Sequence, residues 1–243
     1  MKKNIHLSIK HQPDELTCGP TCLQSIYGFY NDNVPLSDVV SEVRMLREGG
    51  TFASHLANHA LKRGYKAIIY SFNLQIFDPT WRELPPSEMI QKLELQAQHK
   101  SKGWQKLNVA TSGYREFCQL GGELRFEDLT SRLLSSFLSN HQPIIVGLSA
   151  TYLYRSKREA LLKNGLYDYD DITGDPSGHF VVLTGLDQVH NEVIINDPYA
   201  PNLLSNSPIY KVPIEHLICS VLLGVVTYDA NLLIISPKNQ NGG

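Results

Sequence analysis

The chain has 243 residues, 42% of them hydrophobic and 19% charged, with a formal net charge of −2. That length is ample for a buried core in one large domain or two small ones, and near-neutral charge without basic clusters leaves no electrostatic footprint for nucleic acid. No apolar run approaches the roughly 20 residues that span a bilayer, and the basic start Met1-Lys2-Lys3 is followed by no apolar stretch of signal-peptide type.

In chain order, the first predicted element is a helix opening at Cys18. Pro13, Asp14 and Thr17 favour a turning approach, and Leu23, Ile26, Tyr27 and Tyr30 repeat at helical spacing. Pro20 is tolerated in the first turn, where amides have no intrahelical acceptor. A second helix is expected from a Ser37 cap to about Arg47, and a third from a Thr51 cap through Leu61, stopped by Gly64. Lys66 to Tyr70 reads as a strand. Pro79, Pro85 and Pro86 then break the chain, with helices expected over Ser87–Lys102 and Ser112–Leu120. Another opens at Glu127-Asp128-Leu129 and ends near Asn140. Residues 77–122 form a side lobe or cover one edge of a site.

The remainder reads mainly as strands: Pro143–Leu148, an apolar run suited to burial on both faces, then Phe180–Gly185, Glu192–Asn196 beyond a turn near His190-Asn191, Ile209–Val212 and Leu232–Ile235. A short helix is expected from Ile214 to Cys219. Residues 152–178 fit no strand; polar, aromatic and rich in Asp168, Asp170, Asp171 and Asp175, they read as a lid or binding loop, or as a surface insertion. The tail from Asn239 to Gly243 reads as disordered. Helices first and strands later give an α+β fold, with an N-terminal helical half packed on a C-terminal antiparallel sheet. No repeat or linker divides the chain, so a single domain spanning 1–243 is expected, with insertions at about 77–122 and 152–178.

Of the four cysteines, Cys18 and Cys22 lie at i, i+4, poor geometry for a disulfide, and no zinc-type pairing occurs. Cys22, Cys118 and Cys219 read as small buried hydrophobes, and a reducing, cytoplasmic setting fits. His55 and His59 also fall at i, i+4, but without the adjoining glutamate or a third ligand they read as a solvated helix face, and no metal or other cofactor is expected.

Cys18 differs from the other cysteines. At the first helical position, free N–H groups and the macrodipole favour a thiolate. A thiol nucleophile also needs a base, a group that orients the base and donors for an oxyanion. His179 opens an apolar strand after Ser177-Gly178, and Asp197 closes the strand paired with it, where it can accept the Nδ1–H of His179 and fix its tautomer. Gln12, six residues before Cys18, can offer its amide beside the Cys18 backbone N–H.

The blocks Gln12…Thr17-Cys18-Gly19-Pro20, Gly178-His179-Phe180-Val181-Val182-Leu183 and Ile195-Asn196-Asp197-Pro198, in that order, resemble the papain-like cysteine peptidases. Within them they resemble family 39, the bacteriocin-processing or double-glycine-leader peptidases, and their free-standing relatives. The resemblance implies a papain-like fold and a thiol peptidase with Cys18 as nucleophile, His179 as base, Asp197 as its orienting group and Gln12 in the oxyanion hole. It implies a peptide or protein substrate, and the acidic cluster favours a basic one. An acyl- or peptidyl-transferase using the same residues, and a papain-like domain kept as a binding module, are the alternatives.

Overall fold

The computed structural model describes residues 4–47, 49–100, 105–161 and 167–238. The expected helix at the start is present as α1 (Cys18–Phe29), followed by α2 (Leu36–Glu42), α3 (Ala53–Lys62) and strand β1 (Tyr65–Ser71). Then come α4 (Pro86–His99), α5 (Gln105–Gln119), β2 (Glu123–Arg125), α6 (Ser131–Leu138), β3 (Ile144–Ser149) and α7 (Ala150–Tyr154). The chain continues through β4 (Glu159–Leu161), β5 (Tyr167–Tyr169), β6 (Gly178–Asp187), β7 (Glu192–Asn196), β8 (Ile209–Pro213), α8 (Ile214–Leu223) and β9 (Asn231–Pro237).

Seven strands form one sheet in the order β2-β1-β9-β3-β6-β7-β8. Every pairing is antiparallel except that of β1 with β2 at one edge. The sheet is therefore not assembled from the C-terminal half alone: β1 pairs along its whole length with β9, Tyr65 opposite Pro237 and Ser71 opposite Asn231. The fully buried run of β3 is central, between β9 and β6. Helix α1 packs on β6, α3 on β1 and α8 on β3. Gly19 makes the first of these contacts possible, since a Cβ there would lie 2.8 Å from Thr51 Cγ2 and 3.2 Å from the Phe180 ring.

Several helix ends differ from expectation for local reasons. Helix α2 stops at Glu42, with Val43 extended at ψ 127°. The carbonyl of Arg44, which a longer helix would use internally, accepts instead from Thr51 Oγ1 at 2.7 Å and His55 Nδ1 at 2.9 Å. Thr51 is thus a tether between helices, not a cap, and α3 begins after Phe52. Helix α6 starts after Thr130, whose Oγ1 accepts from the Leu133 amide at 3.1 Å; the side-chain cap sits closer to the apolar face than Glu127 does. The expected helix ends at Lys102 and the tail 239–243 lie outside the described residues.

Residues 77–122 contribute two packed helices, α4 on α5, with α5 in turn on α3. The segment 152–178, read from the sequence as strandless, holds the end of α7 and the two-stranded β4–β5 hairpin, Glu159 opposite Tyr169. Its flank is fixed by reciprocal backbone bonds of 3.0 and 2.8 Å between Glu159 and Asp175. Among the described residues no helix is long and apolar enough to cross a membrane.

Candidate active site

Cys18 is the first residue of α1, where the motif places it, and is buried. His179 is the second residue of β6, held in register opposite Leu148 of β3. Asp197 follows the last residue of β7, and β7 runs antiparallel to β6 with Asn196 opposite Val182. The end of one strand therefore returns to the start of the other, and His179 Nε2 donates to Asp197 Oδ1 at 2.8 Å. The nitrogen facing the carboxylate is Nε2, not the Nδ1 expected from the sequence. That leaves Nδ1 as the nitrogen available to Cys18, which lies close enough to the ring to raise its pKa.

Asp197 is fully buried and held by more than the histidine. Oδ1 also accepts from the Tyr199 amide at 2.9 Å. Oδ2 accepts from Tyr154 Oη at 2.7 Å, Tyr210 Oη at 2.6 Å and Asn202 Nδ2 at 3.3 Å. These donors come from α7, β8 and the loop after Asp197. Burial alone would raise the carboxyl pKa, but His179 and the two phenols outweigh it and hold Asp197 below the usual range. Both phenols are raised well above theirs, by burial and then by the carboxylate beside them. Burial works against a charged His179, yet Asp197 and Cys18 outweigh it and push its pKa up to about 10. The sequence reading missed Tyr154, Tyr210 and Asn202; only spatial proximity identifies them.

Gln12 reaches the same place by an N-terminal segment that runs along β6 and β7. The Ile5 amide donates to the Thr184 carbonyl at 2.7 Å, Asn196 Nδ2 to the Leu7 carbonyl at 2.8 Å and the Gln12 amide to the Pro198 carbonyl at 3.0 Å. Gln12 Nε2 donates one hydrogen to the Asp14 carbonyl at 2.8 Å, which fixes its orientation and leaves the second N–H unused by that bond. Its Oε1 is buried without a hydrogen-bond partner among the described residues.

Two cavities meet at His179, of about 410 and 130 Å³. The larger is lined by Cys18, Phe52, Gly178, His179 and Asp229 among others, the smaller by Gln12, Tyr154, Tyr169, His179 and Tyr199. Glu159 and Ser177 border both, so the described part of 152–178 walls the cleft, and Tyr169 of the hairpin lines the smaller cavity together with Tyr199 of the loop that carries Asp197. Asp168 and Asp175 line a cavity, whereas Asp170 turns onto its own loop, accepting from Thr173 Oγ1 at 2.7 Å.

The remaining candidates take other roles. Cys22 is buried, its Sγ bonded to the Phe180 carbonyl at 3.2 Å, and burial pushes its pKa well up. Cys118 is half-buried and Cys219 is exposed, so Cys219 is not the core residue its type suggests. His55 and His59 do not form a solvated face; both are buried. His59 bridges Tyr27 Oη at 2.7 Å and Glu42 Oε2 at 2.9 Å, while burial lowers His55 to about 4.

Comparison with known proteins bears on the family and the fold. A family model described as the Peptidase_C39 like family matches residues 91–216, just over half the chain, and one described as the Peptidase C39 family matches residues 6–99. Comparison with curated proteins gives no match. A solved structure described as a C39-like peptidase from Bacillus anthracis is 16% identical, covers 98% of each chain and has a TM-score of 0.50. A double glycine motif protease from an AMS/PCAT transporter, in complex with the leader peptide, is 16% identical over 98% of this chain and 99% of its own, with a TM-score of 0.44. The peptidase domain of Streptococcus ComA is 15% identical over 96% and 100%, also at 0.44. At such identity the Bacillus anthracis structure speaks for the fold, which is that of the papain-like peptidases. The chain belongs to the C39-like peptidase family.

Proposed function

We propose that the protein is a cysteine peptidase that hydrolyses a peptide bond through Cys18, His179 and Asp197, with Gln12 in the oxyanion hole. The observation that carries this reading is the gathering of Cys18, His179 and Asp197 in one place, His179 hydrogen-bonded to Asp197 and coupled to Cys18, with each member buried and supplied by a different element. Cys18 Sγ attacks the carbonyl carbon, and its proton resides on His179 Nδ1. The Cys18 amide, free at the helix start, and the second N–H of Gln12 Nε2 receive the oxyanion. His179 then protonates the leaving amine, giving a thioester, and next removes a proton from water to release the acid. Asp197 keeps Nε2 protonated throughout and stabilises the imidazolium. One catalytic domain spans the chain, with 77–122 and 152–178 as additions to its frame. The four free cysteines fit a reducing, cytoplasmic setting.

The test is turnover of a peptide library by the wild type, by Cys18→Ala and with added amines. Loss of all cleavage in Cys18→Ala, with free acids as wild-type products, is expected. Full turnover by Cys18→Ala would end the reading, and amide products formed at the expense of acid would make the protein a transferase.

A further inference from the structure

The larger cavity holds a carboxyl group that the proposed reaction does not use. Asp229 lines it together with Cys18 and His179, yet is only 7% exposed. It lies in the turn between α8 and β9, with Thr227 Oγ1 donating to its Oδ2 at 2.8 Å and its own amide donating to the Gly224 carbonyl at 3.0 Å. The residues on either side, Tyr228 (φ 68°) and Ala230 (φ 62°), are both left-handed without being glycine. Such a conformation persists only where the surroundings enforce it, and it often marks a functional position. Gly178, which also lines the cavity, packs directly against this carboxyl: a Cβ there would overlap Asp229 Oδ2, so any other residue before His179 would displace it.

The surroundings of Asp229 have two characters. Leu16, Leu46, Phe52 and Phe180 give the cavity an apolar side. Glu15, Glu159, Asp175 and Asp229 give it carboxyls, against which stand Lys106 and His179. Burial raises the Asp229 pKa to about 7 despite the Thr227 hydrogen bond and the positive charges of His179 and Lys106. The resident cations therefore do not fully compensate this carboxyl, and another cation brought by a ligand would ionise it. A long basic side chain has both halves of the required chemistry, an alkyl stem for the apolar side and a charged head for the carboxyl. The 410 Å³ volume is ample for one.

We propose that Asp229 is a specificity-determining residue that receives the cationic head of a substrate lysine or arginine in the cavity beside Cys18. The proposal rests on the peptidase reading for the word substrate, but its test does not depend on turnover. Acetylated hexa-alanine amides carrying one lysine or one norleucine, moved through every position, are titrated onto Cys18→Ala protein and onto Cys18→Ala/Asp229→Asn and Cys18→Ala/Asp229→Ser proteins. At one or two positions lysine should bind about tenfold tighter than norleucine, as expected for a desolvated charge pair, and the ratio should fall towards one when Asp229 is changed. At neutral pH, lysine binding should also release a proton, seen as a dependence of the binding heat on buffer ionisation enthalpy, and the release should vanish with Asp229. Absent binding, equal affinity at all positions, or a preference that survives both Asp229 changes overturns the proposal. A lysine preference in a protein that never cleaves peptides would sink the peptidase reading alone; cleavage without the preference would sink only this one.

Discussion

At the scale of single residues, the site depends on how Asp197 is held. A buried carboxylate is unfavourable unless its lone pairs are filled, and five donors fill these, two of them phenols at 2.6 and 2.7 Å. The consequence falls on His179, since burial lowers its pKa and Asp197 and Cys18 raise it. With the folded pKa near 10, the imidazolium form persists through neutral pH and is lost only as pH approaches that value. Asp197→Asn removes the main opposing charge, so burial dominates and the alkaline limb of the kcat/KM profile should move down by more than about one pH unit, with kcat falling about 100-fold. An unchanged alkaline limb would contradict the assignment. Tyr154→Phe and Tyr210→Phe each delete one charge-assisted hydrogen bond, worth about 2 kcal/mol. Each should lower thermal stability and leave the fold intact by circular dichroism.

At the scale of elements, the N-terminus of α1 and the edges of β6 and β7 do the positioning. Cys18 is brought to His179 only because α1 lies close on β6, and Gly19 is the contact that permits it. Gly19→Ala would press a methyl group against Thr51 and Phe180, costing about 1–3 kcal/mol by overpacking. Because the strain falls next to Cys18, the proposed nucleophile, kcat should drop well before the protein unfolds at ambient temperature; a variant with normal kcat would show that the close approach is not required.

The elements that carry the site were also the most legible in the sequence. Cys-Gly-Pro ahead of a helical apolar repeat places Cys18, and uninterrupted apolar runs mark β3 and β6. Helix ends were less legible, because the Arg44 carbonyl beyond α2 is taken by Thr51, just ahead of α3, and by His55 on α3. The β4–β5 hairpin gave no alternating pattern, since three-residue strands are too short to show one. Strand β2 was missed for the same reason.

At the scale of the whole molecule, one sheet gathers residues far apart in the chain. Gln12, Cys18, Tyr154, His179, Asp197, Tyr210 and Asp229 come from segments that only the sheet order β9-β3-β6-β7-β8 and its loops bring together. Order along the chain could suggest Gln, Cys, His and Asp, because short motifs surround them. No local motif surrounds Tyr154, Tyr210 or Asp229, whose significance is purely spatial. The same distinction explains the nitrogen of His179 that faces Asp197: the strand pairing was foreseeable, whereas the rotation of the ring depends on side chains around it.

The account turns on Cys18 being activated by its pairing with His179. The most direct measurement is the rate of alkylation of Cys18 by iodoacetamide at neutral pH, located by peptide mapping so that exposed Cys219 is counted separately. The expected result is fast modification of Cys18 in the wild type, slowed about tenfold or more in His179→Ala while Cys219 reacts equally in both. A Cys18 that reacts no faster than Cys219, or whose rate is indifferent to His179, would contradict it.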